Sequence, residues 1–355
     1  MNRSFSSRIL TMLAGLGLAG CAAVGPDYVS PTPAAPPAWR QLDPAAQPAL
    51  SSASPDALAH WWQQLNDPLL SALMEDALRA SPDLKSAQAR LRESRARRTA
   101  ADAARYPALD ASASAGRTRS SEATGGGATR NVYSAGFDAS WELDVFGGVR
   151  RGVEAAQADF EAAQASLDDT RVSLDAEVAT NYVDVRTLQA RLAIARANLD
   201  AQSETLRLTT WRAQAGLVND QDVEQARSNR EQTRAQIPLL QSGLVEAEHR
   251  LDLLLGLAPG TLHPRLDAAG ALPAMPARIA VGIPAEALRQ RPDVRAAERK
   301  LAAETARLGA AEAARYPGFK LSGSIGLEAL TLGALGNGDA AASSLLAGIA
   351  APLFD

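Results

Sequence analysis

A thiol is the most reactive side chain a protein commonly carries, and this chain of 355 residues has one, Cys21. A single cysteine excludes an intrachain disulfide and a thiolate metal cluster. The three histidines, His60, His249 and His263, lie far apart with no ligand spacing between them. Gly125-Gly126-Gly127 lacks the lysine and following helix that a phosphate loop needs. No nucleophile–base pair is visible, so the residue pattern offers no active site, no metal and no resident cofactor. The 36 Lys+Arg and 40 Asp+Glu are mixed along the chain, and no basic stripe suggests a nucleic-acid surface. What chemistry remains belongs to Cys21.

Its surroundings say which chemistry. Arg3 and Arg8 precede ten mainly apolar residues, Ile9 to Leu18. A membrane-spanning helix needs roughly 20 such residues, so this stretch reads as a signal peptide over residues 1–20. It closes on Leu18-Ala19-Gly20-Cys21, which resembles the bacterial lipobox. There the cysteine thiol takes a diacylglycerol and the new N-terminus an N-acyl chain. The competing reading is an ordinary signal peptide with a chance cysteine. Ala22 stands where an aspartate would favour inner-membrane retention, so the motif implies outer-membrane sorting. Residues 21–57 are rich in Pro, Ala and Ser with no sustained period, and read as an extended, lipid-anchored tether.

The elements behind this anchor are organised by a repeat. Ser81 to Pro107 aligns without gaps on Arg291 to Pro317, an offset of 210 residues with 13 of 27 positions identical. Pro82 and Pro292 suit a first helical turn, whereas Pro107 and Pro317 lack the N–H that a helix interior requires. Each helix should therefore stop at the preceding tyrosine. Only 5% of the chain is aromatic, and much of its apolar share is alanine, which suits thin helices better than thick cores.

After each Tyr-Pro the period becomes two. Leu109, Ala111, Ala113 and Ala115 alternate with Asp110, Ser112 and Ser114. Phe137, Ala139, Trp141, Leu143 and Val145 alternate with Asp138, Ser140, Glu142 and Asp144. In the second repeat Phe319, Leu321, Ile325 and Leu327 alternate with Lys320, Ser322 and Ser324, and a weaker strand is expected near Leu345 to Phe354. A soluble hairpin with one wet face shows this alternation, and so does a transmembrane strand between lipid and a wet lumen. Parity puts Asp110, Ser112, Asp138, Ser140, Glu142 and Asp144 toward the lumen in the second case. Phe137, Trp141 and Leu143 would then face lipid, with Trp141 equally suited to an interfacial girdle. Four strands cannot close a barrel, which needs about eight, so several copies must pool theirs.

Between the strand pairs runs a helical hairpin. Val153, Phe160, Leu167 and Leu174 are seven apart, and Val178, Val185, Leu192, Leu199 and Leu206 continue the seam. Such a sustained heptad predicts coiled-coil packing over about Val149 to Ala215, roughly 100 Å of helix. Gly216 breaks it, Asn219-Asp220 restarts it, and the return runs to about Leu255 with a kink expected at Pro238.

These residues resemble the TolC/OprM-like outer membrane factors, and among them the NodT-type efflux lipoproteins. The matching segments are Cys21 with Gly25-Pro26-Asp27-Tyr28 and Pro31, Trp61-Trp62 with Asp67-Pro68, and Phe146-Gly147-Gly148. Others are Ala215-Gly216-Leu217 with Asp222-Val223, Leu254-Leu255-Gly256 with Pro259-Gly260, and Arg291-Pro292-Asp293 through Pro317. The resemblance implies an elongated α+β fold. Transmembrane strands of three copies pool into a twelve-stranded barrel, and coiled-coil hairpins continue it as a periplasmic tunnel. It implies a homotrimer working with outer-membrane lipid, a periplasmic adaptor and an inner-membrane pump. One adaptor-contact tip would hold Arg212, Gly216, Leu217, Val218 and Asp222; without the family, that turn reads as a solvated coiled-coil end.

The expected organisation is thus a helix of the first repeat at 58–106, its strand pair at 107–146 and its hairpin at 147–256. A linker and second helix follow at 257–316, then a second strand pair at 317–355. No counterpart of the 147–256 hairpin follows, and with it go the expected gate residues, so the sequence reads as a C-terminally truncated chain. The implied function is a passive exit duct for solutes such as drugs. Alternatives within the architecture are metal efflux, type I protein secretion or a non-functional fragment, and outside it a periplasmic coiled-coil scaffold.

Overall fold

Proline and capping residues set where the helices begin. The computed structural model describes residues 23–32, 50–51, 60–268, 270–274, 279–280 and 284–354, so Cys21 and the signal segment lie outside the described residues. The chain divides into two units, Met1–Thr32 with Leu91–Gln164 and Arg295–Asp355, and Pro33–Arg90 with Ala165–Val294. Helices α1 (Pro68–Ala80), α2 (Pro82–Ala103), α3 (Gly148–Gln214), α4 (Asp220–Leu254) and α5 (Pro292–Ala313) are joined by strands β1 (Ala108–Arg119), β2 (Thr129–Leu143), β3 (Gly318–Ala329) and β4 (Ala341–Ala350).

In the first unit the strands form one antiparallel sheet in the order β1-β2-β3-β4. The expected change of period after each Tyr-Pro is where β1 and β3 begin. The last strand runs over Ala341–Ala350 rather than Leu345–Phe354, because Pro352 cannot donate to a ladder. Small residues let helices pack closely here: Ala158, Ala302 and Ala303 form a buried cluster with Tyr28 against it.

The second unit holds the larger apolar core. Asp67 caps α1 by accepting from the N–H groups of Leu69 and Leu70, each at 3.0 Å. Leu70, Leu73, Met74 and Ala77 then recur on one helical face and are buried with Trp62, Leu251 and Leu266. The expected single helix of the first repeat is two, since Pro82 drives Ser81 out of helical angles to φ −48° and ψ 128°. Along α3 the heptad seam is the buried side: Leu174, Val178, Val185 and Leu192 are buried, while Val172 and Ile194 are exposed. In α4 Pro238 leaves the helix assignment unbroken.

Buried polar groups pin this core. Tyr182 donates to Asp67 at 2.7 Å, and Arg186 donates to Tyr182 at 3.1 Å and to the Ala268 carbonyl at 2.7 Å. Asp252, fully buried, accepts from the N–H groups of Gly260 and Leu262 at 2.7 and 3.0 Å and so shapes the loop after α4. Asp175 is different: it is buried and one carboxylate oxygen has no partner among the described residues. Burial pushes its pKa up to about 6, against the opposing charges of Arg171 and His60. A carboxyl whose folded value exceeds its unfolded value stabilises below the unfolded value and loses that contribution as pH rises. Stability should therefore fall between pH 4 and 6 on account of this group. Asp175→Asn should raise stability at pH 7 by about 2 kcal/mol and change it little at pH 4. Urea unfolding midpoints at the two pH values measure both.

Candidate functional site

Strand register sorts the sheet's side chains onto two faces. Asp110, Asp138, Ser324 and Ser344 stand in one row across all four strands. On the same face Ser140 is opposite Ser322, and Glu142 is opposite Lys320. Ser112 donates to Asp138 at 3.0 Å, and Ser114 and Ser134 share a bond of 2.8 Å. Two aspartates directly across a ladder repel one another unless water screens them, so this face is built for an aqueous surface. The other face pairs Phe137 with Ile325, Trp141 with Leu321, Leu143 with Phe319, and Phe319 in turn with Ile349. Phe137, Ile325, Leu345 and Ile349 are all more than half exposed. So much uncovered apolar surface needs a partner or lipid. Among the described residues no helix is long and apolar enough to cross a membrane.

Asp144 does not belong to the polar face. It lies one residue beyond the end of β2, and its carboxylate accepts from the N–H groups of Val149 and Arg150 at 3.0 and 2.8 Å. It is the cap of α3 and also pairs with the Arg150 guanidinium at 3.2 Å. Alternation alone carried the expectation one residue too far, because a strand's period gives no sign of its end. Trp141 stays on the apolar face, and its indole N–H donates to the Arg105 carbonyl at 3.0 Å.

The turn between α3 and α4 is built by two reciprocal caps. Leu217 N–H donates to Arg212 O at 2.8 Å and Gly216 N–H to Ala213 O at 2.9 Å, with Gly216 at φ +73°. This pair of bonds closes a helix C-terminus on a left-handed residue. Asn219 and Asp222 then cap each other's backbone N–H groups across the first turn of α4. Asp222 thus has a structural role in the turn besides any contact. Arg212 and Leu217 are exposed, Val218 is half-buried, and Trp211 lies exposed under Arg207, whose guanidinium is 4.5 Å from the ring centroid.

The extended segment expected after Cys21 is tied down over residues 23–32. Val24 N–H donates to Phe146 O at 3.0 Å. Arg151 is buried, and its guanidinium donates to Val24 O, Gly25 O and Asp27 at 3.2, 3.1 and 2.7 Å and to Glu154 at 2.8 Å. The bonds to Glu154 and Asp27 hold its proton more firmly than usual. Gly25, at φ +92°, sits where a Cβ would strike the Gly309 backbone. Tyr28 and Ser30 both donate to Glu298, at 3.2 and 2.6 Å. The Gly25-Pro26-Asp27-Tyr28 and Phe146-Gly147-Gly148 segments are therefore one contact, a link that residue spacing alone could not reveal.

The family described as Outer membrane efflux protein matches residues 73–257 and 283–355. The chain belongs to the outer membrane efflux protein family. Nodulation protein T of Rhizobium leguminosarum bv. trifolii is 34% identical over 325 residues, which cover 90% of this chain and 67% of that protein. The toluene efflux pump outer membrane protein TtgI of Pseudomonas putida is 32% identical over 354 residues, 98% of this chain and 74% of its own. The solved outer-membrane channel OprN superposes with a TM-score of 0.84 at 37% identity, over 93% of this chain and 73% of OprN. The chain spans 67% to 74% of the length of these three proteins. Outer membrane efflux proteins are conduits rather than enzymes, and they reside in the outer membrane. The expected family, location and mixed helix-and-sheet channel fold are borne out.

The two sheet faces make a direct test in membranes. If the apolar face meets lipid, a cysteine placed at Asp138 should react with a water-soluble thiol reagent at least tenfold faster than one at Phe137, because lipid would exclude the reagent. Equal rates at the two positions would refute the assignment of faces.

Proposed function

We propose that the chain is the outer-membrane exit duct of a tripartite efflux system. Three copies contribute four strands each to a twelve-stranded barrel, with Asp110, Ser112, Asp138, Ser140 and Glu142 toward the lumen and Phe137, Trp141 and Leu143 toward lipid. The observation that carries this reading is the sheet itself, polar on one face, apolar and exposed on the other, and open at both edges among the described residues. A bilayer has no water to satisfy an open edge, so only closure into a ring fits such a sheet.

Cys21, outside the described residues, is the proposed site of the diacylglycerol and N-acyl chains. The clasp at Val24 to Asp27 supports that role, since it ties the chain just past the anchor to the end of β2 and the start of α3. The turn at Arg212, Gly216, Leu217, Val218 and Asp222 is the proposed contact for a periplasmic adaptor bound to an inner-membrane pump. Exposed Trp211 and Arg212 beside exposed Leu217 give this turn the aromatic and guanidinium groups that favour an interface centre. Organic solutes are the first cargo class to try, given the toluene in one relative's name.

Two measurements test this. In Cys21→Ser the protein should remain in the outer membrane after carbonate washing; release into the soluble fraction would favour a lipid-tethered scaffold instead. Leu217→Asp should weaken capture of the adaptor about tenfold, or about 1.4 kcal/mol, with the trimer intact. Unchanged capture would remove this turn from the contact.

A further inference from the structure

The repeat extends through the strands in register. Ala108 pairs with Ser140 in the first repeat and Gly318 with Ala350 in the second, both 210 residues on. The sheet is thus two copies of one hairpin, and a feature present in only one copy is an addition to the common plan. Such a feature lies where β2 leaves the sheet for α3. A cavity of about 310 Å³ opens there, lined by Arg105, Trp141, Glu142, Asp144 and Arg150. The counterparts of the first four, 210 residues on, are Arg315, Ala351, Pro352 and Phe354. Only the arginine is kept, so the second copy has neither the indole nor the carboxylates.

Strand register makes the space. The Ala108–Ser140 row is the last that β1 supplies, so Trp141, Glu142 and Leu143 pair with β3 alone. Arg105-Tyr106-Pro107 leads into β1 at this end, and the Trp141 indole N–H ties β2 to it at the Arg105 carbonyl. That bond uses the backbone of Arg105 and leaves its guanidinium for other partners. The guanidinium meets Asp102 through Nε at 3.3 Å, and the side chain is 46% exposed. Arg150 is also partly exposed beside Asp144, whose carboxylate is already engaged by the first N–H groups of α3.

Position and charge together name the ligand. Trp141 shares its face with exposed Phe137 and Ile325, close to the end of that face at Leu143. An indole with one polar contact suits the boundary between hydrocarbon and headgroups. Tyr106 is 66% exposed, whereas its counterpart Tyr316 is stacked on Phe146 with ring centroids 4.8 Å apart. Two guanidiniums at such a boundary suit a phosphate, which arginine grips with parallel N–H bonds. Two carboxylates line the same cavity, and they would repel a headgroup that is only anionic. A headgroup with an ammonium beside its phosphate meets both signs, and a primary ammonium donates hydrogen bonds that a quaternary one cannot.

We propose that this cavity binds the headgroup of a phospholipid bearing a phosphate and a primary ammonium, one per chain, with Arg105 and Arg150 on the phosphate. The proposal rests on the apolar face meeting lipid and adds a specific ligand at the end of that face.

The test uses the whole chain in bilayers of phosphatidylethanolamine and phosphatidylglycerol in equal parts, with retained lipid counted by native mass spectrometry. Retained phosphatidylethanolamine should exceed phosphatidylglycerol by about fivefold. Arg105→Gln should cut that retention about tenfold and Arg105→Lys less, since lysine keeps the charge without the fork. Arg315→Gln, the same change in the second copy, should leave retention as it was. Retention unaffected by Arg105→Gln, or lost equally in Arg315→Gln, would overturn the site. Equal retention of the two lipids would overturn the role of the ammonium. Displacement by excess inorganic phosphate would overturn the lipid in favour of a free anion. Release of the chain from the bilayer by carbonate would instead overturn the lipid-facing sheet on which the site depends.

Discussion

Everything in the first unit answers to the hydrogen-bonding demand of a short, open sheet. Each residue of β1 and β4 carries a backbone donor and acceptor, and alternate groups along the outer edges have no strand partner among the described residues. Water satisfies such groups at little cost, whereas hydrocarbon does not, at several kcal/mol for each group. The apolar face of Phe137, Ile325 and Ile349 favours lipid, while the edges forbid it for a lone chain. Side-chain pattern and backbone demand are reconciled only when the edges meet other strands. The aspartate row on the opposite face adds a second requirement, a continuous aqueous surface along that face.

A different economy governs the segment after Cys21. Burying a guanidinium is expensive unless its donors are used, and Arg151 uses its own on two carbonyls and two carboxylates. Glycine at 25, at φ +92°, lets its backbone approach that of Gly309, where a Cβ at 25 would collide. Between Val24 and Ser30, a stretch with no helix or strand is thereby tied down by side-chain and backbone bonds. In the second unit Asp252 and Arg186 do the same for the loop that follows α4.

How much of this was legible in the sequence depended on the range of the interactions involved. Proline at 82 and 292, glycine at 216 and the heptad from Val153 act within a turn or two, so α3 and α4 fall within a residue of their expected bounds, whereas α2 and α5 end at Ala103 and Ala313, three residues before the expected tyrosines. The repeat was legible because both copies kept their Pro-Asp and Tyr-Pro ends. Strand faces were legible from period two, but strand ends were not, and that is why Asp144 was misplaced. The Arg151 clasp joins residues 124 to 127 positions apart, and neither partner has a distinctive neighbourhood. The turn at 216 was located correctly, whereas the mutual capping of Asn219 and Asp222 was visible only in part, since an acidic residue there suits the helix dipole as well.

The duplicated hairpin has aged unequally. Asp138, Ser140 and Glu142 have as counterparts Gly348, Ala350 and Pro352, and Asp110 has Lys320. Of the polar face's four carboxylates, Asp110, Asp138 and Glu142 lie in the first copy, while the second holds Glu328 and a lysine, Lys320. Fusing two hairpins in one gene freed each from the other, so that mutation could put charge into one wall segment and leave its sibling plain. A duct assembled from single-hairpin subunits would have to repeat any such change at every position around its circumference.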